Sequence, residues 1–517
     1  MPLGKRMAAF GSGQSWSNYP VSLSEVMDLK QYLDYLFDPK SVAVIGASGT
    51  LGKWGFHILS LLLTKGGREI YAINRNEPEV QGLKAYQSVR EVPGPVDFAV
   101  ITVPFQDVPA AMEDCVAKGV KAAVVISGGL AEIGGEGAKI EQEVVEIARR
   151  GGMRFVGPNC MGHFDTSSDF FTVPYLPPVK KGSLALITQS GNTSQTIVYL
   201  ACEMGLGFSK YISSGNEADL HFEDYLEYVA QDGETEVILG YVEGLREGRR
   251  FFELAKEITK KKPIVIMKAG RTEAGARAAR SHTAALAGSD VVCEAAFKQC
   301  GVISVEEVSE LIDVALVLLG QPLPRGRRVG VLSTGGGMAV MAADVLMRQG
   351  LELPALSPAT MEKMNSILTP RWSHVNPVET GGDMFSYPCL WALIEDENID
   401  ATLIIGAAGA AASYARWVNL PPSMRGEVDR WIESSDDSEQ GDVDKLMELM
   451  SRYQKPVVMA HMGIPDMRRG KLYEKMERNH VIPYLTPERA AKALAHLVEY
   501  SEYLGIANPR GRFRTNE

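Results

Sequence analysis

No run of about 18 uninterrupted apolar residues occurs anywhere in the 517-residue chain, which leaves no segment suited to crossing a bilayer core. Cysteine is scarce. The six cysteines, Cys115, Cys160, Cys202, Cys293, Cys300 and Cys389, lack the paired spacing of a zinc site and the density of a disulfide framework, so they read as reduced, mostly buried thiols and no metal site is expected. A basic excess is missing too. With a net charge of −11 the chain has no electrostatic footprint for nucleic acid, although a local basic patch remains able to hold an anionic ligand. The opening MPLGKRMAAFGSGQSWSNYP lacks the continuous apolar stretch of a secretory signal, and residues 1–36 are read as an N-terminal extension of a cytoplasmic protein.

What remains is an ordinary globular composition, 45% hydrophobic and 23% charged with 51 glycines, in a chain long enough for about three domains. One pattern recurs three times: a buried strand, a turn of small residues, then an apolar-periodic helix. The openings SVAVIGASGTLGKWG, SLALITQSGNTSQT and RVGVLSTGGGMAVM start at Ser41, Ser183 and Arg328. Each short Val/Ile/Leu run reads as a parallel strand covered on both faces, because an exposed strand would alternate apolar and polar residues. Further runs such as EIYAINRN, VDFAVITVPF, KAAVVISGGL, VILGYVEGL, KPIVIMKAG, ATLIIGAAG and KPVVMAHMG alternate with helical stretches, which predicts an α/β chain of doubly wound sheets. Proline-rich joints, VPYLPPVKKG and GQPLPRGRR, put domain boundaries near 165–182 and 320–327. The acidic run around residues 429–446 is expected to be a solvated loop and helix start.

The first turn, GASGTLG, places Gly46, Ser48, Gly49 and Thr50 between a strand and a helix N-terminus, where backbone N–H groups meet phosphate. A nicotinamide dinucleotide would require an acidic residue after the next strand to hold the ribose hydroxyls, and INRN supplies Asn74, Arg75 and Asn76 instead. Arg75 suits a 2′-phosphate or the 3′-phosphate of CoA. Val103, Pro104, Ser127 and the Gly157-Pro158-Asn159 turn fall at neighbouring strand ends, on the sheet edge where such folds bind ligands.

A second chemistry is suggested by ARAARSHTAALAGSD. Its small residues let a loop approach a tetrahedral group, and an imidazole with an ordinary pKa near 6.5 offers His282 as a nucleophile to a phosphoryl centre. Such a histidine needs a carboxylate on its other nitrogen. Glu243, at the end of GYVEG, is the first choice, and Glu217 in SSGNEAD the second. The turns carrying Ser190, Gly191 and Asn192 and carrying Gly335, Gly336 and Gly337 each feed a helix, and each helix start favours an anion by about 0.3–1 kcal/mol.

Taken together, SVAVIGAS, the Asn76–Val89 stretch, AVVISGGLAE, FVGPNCMG, ITQSGN, SSGNEAD, KAGRTEAGARAARSHT, STGGGMA and NPVE resemble the α subunit of ADP-forming acetyl-CoA synthetases, in the succinyl-CoA synthetase superfamily, over residues 37–505. The resemblance implies a CoA-binding Rossmann-like domain (37–165), a flavodoxin-like ligase domain carrying a phosphohistidine (166–322), a second flavodoxin-like domain (323–505) and a tail (506–517). It implies that His282 is the phosphorylated residue, that Glu243 supports it, that the GASG turn holds CoA, and that the turns at Ser190-Gly191 and Gly335-Gly336 hold phosphate. ADP/ATP and Mg belong, on the same resemblance, to an ATP-grasp β subunit in an α2β2 assembly. One departure is SHTA where the family has SHTG, so that Ala284 replaces a glycine. The competing readings are a CoA-sensing regulatory protein and a nicotinamide-dependent oxidoreductase.

Overall fold

A computed structural model describes residues 27–282, 290–381, 387–406, 421–461 and 471–507. Three sheets follow one another along the chain. The first has the order β3-β4-β2-β1-β5-β6-β7, built from β1 (Ser41–Ile45), β2 (Glu69–Ile73), β3 (Glu79–Val80), β4 (Leu83–Tyr86), β5 (Phe98–Ile101), β6 (Ala122–Val125) and β7 (Arg154–Val156). All its pairings are parallel except β3 with β4. The central strand β1 is buried along its whole length, as its unbroken SVAVI run predicts for a strand covered on both faces.

The second sheet runs β14-β13-β12-β10-β11-β8-β9, with β8 (Gly162–Asp165), β9 (Phe170–Phe171), β10 (Lys181–Thr188), β11 (Phe208–Ser213), β12 (Val237–Val242), β13 (Ile264–Lys268) and β14 (Ile303–Val305). Residues 162–165 pair antiparallel with β11, so they lie in the second sheet although sequence reading groups them with the first unit. The third sheet is β16-β15-β17-β18, from β15 (Val329–Ser333), β16 (Val378–Glu379), β17 (Ala401–Ile405) and β18 (Val457–Ala460).

Strand order explains why the three turns matter. From β1 the chain goes to β2 on one side and later to β5 on the other; β10 stands in the same way between β11 and β12, and β15 between β16 and β17. Each of the three turns therefore opens at the carboxyl end of a strand where the winding reverses, which is where open α/β sheets leave a crevice.

The sheets do not stand apart. Phe98 and Val100 of the first share a buried cluster with Ile187, Phe222 and Tyr225 of the second. The helix Leu29–Phe37 buries Leu33, Leu36 and Phe37, and the ring of Phe37 stacks on Tyr228 of the second unit at 5.2 Å. His163, fully buried, bonds to the Leu36 carbonyl at 2.7 Å, and burial pulls its pKa down to about 4, so it is neutral and structural. Between the second and third sheets, the helix Pro487–Tyr503 contributes Ala490, Leu494, Leu497 and Val498 to a core that also holds Leu184, Leu186, Val329 and Leu403. Arg489 on that helix grips Asp313 through two bonds of 2.6 and 2.7 Å.

The acidic run at 429–446 departs from expectation. It belongs to one continuous helix, Arg425–Tyr453, because Val443, Leu446, Leu449 and Met450 recur at helical spacing and are buried. The cysteines behave as expected: all six are free, with Cys115, Cys160, Cys300 and Cys389 buried. No helix of the described residues is long and apolar enough to cross a membrane.

Candidate active site

An open cavity of about 710 Å³ lies at the switch point of the first sheet. Gly46, Ser48, Asn74, Arg75, Val103, Pro104 and Ser127 line it, whereas Gly49 and Thr50 stand in the turn outside the lining. Gly46 is required by its backbone: φ is +91°, and a Cβ there would sit 2.7 Å from Thr102 Oγ1. Gly55, on the helix Trp54–Lys65, was not marked by the phosphate-turn pattern, yet a Cβ on it would lie 1.9 Å from the Gly46 carbonyl oxygen. It lets the helix start close up to the turn, and only its GxxGxxGxxG continuation in the sequence signals it.

The polar residues differ in what they have left to offer a ligand. Asn74 donates to the Ala47 carbonyl at 2.9 Å and accepts from the N–H groups of Asn76 and Glu77 at 2.8 and 3.0 Å, so it ties two loops together as part of the wall. Ser127 donates to Val103 O at 2.6 Å and joins two strand ends. Arg75 pairs with Asp107 at 3.2 Å, but with side chains 60% and 46% exposed the pair is weakly held. Its guanidinium is free to turn to a phosphate, and Lys53 stands in the same lining.

The second site is built at the corresponding edge of the second sheet. Gln189 follows β10, Glu243 follows β12, and β13 leads into the helix Glu273–His282. His282 ends that helix; its side chain and Ala284 lie outside the described residues. The side-chain amide of Gln189 uses all its bonding capacity: Oε1 accepts from the N–H groups of Glu243 and Gly244 at 2.6 and 3.1 Å, and Nε2 donates to Glu217 Oε2 and to Gly244 O at 2.9 and 2.7 Å. Gln189 thus ties the Glu217 carboxyl to the backbone of Glu243 and Gly244 in one buried cluster, a part that sequence reading did not assign to it.

Glu217 and Glu243 have different tasks there. Glu217 is 2% exposed and holds a left-handed backbone (φ 52°). Burial pushes its carboxyl from the ordinary 4.5 up to about 8, against the pull of its bonds from Ser214 and Gln189. The neutral form is fully satisfied. Its O–H donates to Ser214 Oγ, 2.7 Å away, and the Ser214 hydroxyl turns to the Thr188 carbonyl at 3.2 Å. Near neutrality Glu217 is therefore an uncharged prop for Gln189. Its native form keeps a proton that the unfolded chain releases, so it makes the protein less stable as pH rises from about 4.5 to about 8 and adds nothing further above that. Glu217→Gln copies the neutral bonding, and its melting temperature relative to wild type is expected to climb between pH 5 and pH 8 and then level off. A difference constant across that range in thermal melts would remove the assignment of the proton.

The two helix-feeding turns share one device. Thr188 Oγ1 donates to Ser190 O and accepts from Ser190 N; Ser333 Oγ does the same with Gly335 O and Gly335 N. Both turns are thereby fixed before the helices Gly191–Glu203 and Gly336–Arg348 begin. Their surroundings diverge. Gly191 faces Met161, while a Cβ on Gly336 would come 2.8 Å from the carboxylate of Glu379, so the second helix start already has an acidic neighbour. Among the described residues no group of histidine, cysteine and acidic side chains is arranged to hold a metal ion.

The first sheet thus carries an open cavity at its switch point, and the second carries a buried polar cluster and a fixed helix start at its corresponding edge. Residues 40–164 match the CoA binding domain family, and residues 181–318 match the succinyl-CoA ligase-like flavodoxin domain family. The α subunit of acetate–CoA ligase (ADP-forming) II from Pyrococcus furiosus is 39% identical over 478 residues, 92% of this chain and 99% of that protein. An ADP-forming acetate–CoA ligase of Methanocaldococcus jannaschii is 36% identical over 91% of this chain, which spans 63% of that protein. The dinucleotide-forming acetyl-coenzyme A synthetase 1 of Candidatus Korarchaeum cryptofilum, solved with phosphate and ADP, superposes with a TM-score of 0.78 at 33% identity, over 92% of this chain and 98% of that one. The chain belongs to the family of ADP-forming acetate–CoA ligase α subunits.

Proposed function

We propose that this chain binds acyl-CoA in the first cavity and passes its acyl energy, as a phosphoryl group, to His282. The supporting observation is the buried Gln189–Glu243–Glu217 cluster beside the Ser190 helix start, in which Glu243 follows β12, the strand paired with the β13 that leads to His282. A phosphate oxygen attacks the thioester carbonyl, the C–O bond forms and the C–S bond breaks, and CoA leaves as a thiol once its sulfur is protonated. An imidazole nitrogen of His282 then attacks phosphorus, and the free acid departs as carboxylate. Glu243 orients the imidazole and balances the positive charge that grows on it. Glu217, its carboxyl pushed up to about 8 by burial, keeps its proton near neutrality and so keeps one negative charge away from the arriving phosphate. The Ser190–Asn192 start is the better phosphate seat, since the Gly335–Gly337 start faces Glu379.

The phosphoryl group then goes to ADP, with Mg, on an ATP-grasp β subunit, in an α2β2 assembly. A CoA sensor would need the first cavity but neither the carboxylate cluster nor the fixed helix starts. Incubating the chain with acetyl-CoA and phosphate and measuring its intact mass tests the reading: one added phosphoryl group is expected, with ATP formed once an ATP-grasp subunit and ADP are supplied. A chain whose mass stays unchanged would sink it.

A further inference from the structure

The cavity wall and the carboxylate cluster belong to different sheets, yet one side chain connects them. After β6 the chain makes the turn Ser127-Gly128-Gly129-Leu130, and Ser127 and Gly128 line the cavity. The turn is held by Glu132, whose carboxylate accepts from the N–H groups of Gly129 and Leu130. Glu141 holds the next residue in the same way, accepting from Ala131 N at 3.2 Å. Both carboxylates then meet one donor from the second sheet: Asn216 Nδ2 lies 2.7 Å from Glu132 Oε2 and 2.8 Å from Glu141 Oε2.

Asn216 is 7% exposed, and its other polar groups are engaged as well. Its N–H donates to Pro158 O at 2.9 Å, its Oδ1 accepts from Asn159 Nδ2 at 3.2 Å, and its carbonyl accepts from Arg246 at 2.7 Å. The residue that follows it is Glu217, the prop of Gln189, which in turn fixes the Glu243 backbone. A continuous path of hydrogen bonds and two peptide links, Gly128–Gly129 and Asn216–Glu217, therefore runs from the cavity wall to Glu243.

We propose that Asn216 is a positioning residue: it sets the distance and angle between the coenzyme cavity and the phosphoryl-transfer cluster, so that thioester and phosphate meet in reacting geometry. This rests on the acyl-CoA reading above. Two acidic side chains sharing one amide donor explain why the residue must be asparagine. An aspartate would add a third carboxylate to a buried pair, and an alanine would leave Glu132 and Glu141 to repel each other and loosen the turn they hold. Neither Asn216 nor Glu132 has a place in the attack of His282 on phosphorus, which needs only the second-sheet cluster.

That separation supplies the test. The full chain can be phosphorylated through both sites by acetyl-CoA with inorganic phosphate, or at the second site alone by acetyl phosphate. Asn216→Ala is expected to slow labelling by acetyl-CoA and phosphate by about 10–100-fold, the scale of a small misplacement of reacting groups. Labelling by acetyl phosphate should stay near wild type, and CoA binding, whose cavity includes the loosened turn, should weaken less than labelling by acetyl-CoA and phosphate. Glu132→Gln, which keeps the shape of the contact, should show the same split to a smaller degree, and it carries the test if Asn216→Ala does not fold. Equal loss with both donors, or no loss with either, would overturn the proposal while leaving the acyl-CoA reading intact. A wild-type chain labelled by neither donor overturns that reading, and the proposal with it.

Discussion

Replacement of His282 by alanine is expected to abolish phosphorylation by acetyl-CoA and phosphate while leaving CoA affinity close to wild type. The two sites stand at the carboxyl edges of different sheets, and the cavity of the first takes all its lining from residues 45–128. No contact of that cavity passes through the helix Glu273–His282 among the described residues. Phosphate incorporation by intact mass and CoA titration by calorimetry give the two readings. Wild-type incorporation in the mutant would remove His282 from the mechanism. The label should also be acid-labile, because protonating the imidazole weakens its bond to phosphorus.

The other large effect is expected at Glu243, through orientation and charge. A carboxylate on one imidazole nitrogen selects the tautomer and stabilises the positive ring that forms as the other nitrogen attacks. Groups of this kind contribute about 10²–10⁴-fold in rate. Glu243→Gln should therefore lower turnover by roughly that factor, with a smaller change in the KM for CoA. Glu217→Gln is the internal comparison. Because Glu217 is already protonated near neutrality and a glutamine amide reproduces its bonds to Gln189 and Ser214, turnover at pH 7 should stay near wild type. Rates measured for both variants decide between them. Loss of phosphorylation in Glu217→Gln with Glu243→Gln unaffected would transfer the orienting role to Glu217.

The contrast between these two glutamates shows where sequence reading stops. Both stand at strand ends of the same unit, and although GYVEG ranks above SSGNEAD by position, the residue types alone do not say which carboxyl carries the charge. Their difference is one of environment. Glu217 is enclosed by Ser214 and Gln189, residues whose approach depends on how β10 and β11 pair, and that enclosure sets its charge. Asn74 is a similar case. From the sequence it stands where a ribose ligand is wanted, but its amide bridges two loops whose spacing only the folded sheet defines.

The sequence by itself determined the three strand–turn–helix openings, their order, the parallel character of their strands and the departure from a nicotinamide site at INRN. These depend on hydrophobic runs and turn residues within a few positions of one another, where local sterics and burial act directly. Only the tertiary structure decided that residues 162–165 join the second sheet and that Gly336 faces Glu379. It alone brought Gln189 between Glu217 and Glu243, and Asn216 against Glu132 and Glu141. The physical reason is that these contacts join groups 28 to 84 residues apart, and a hydrogen bond over that separation is set by strand order and interdomain packing rather than by neighbouring residues.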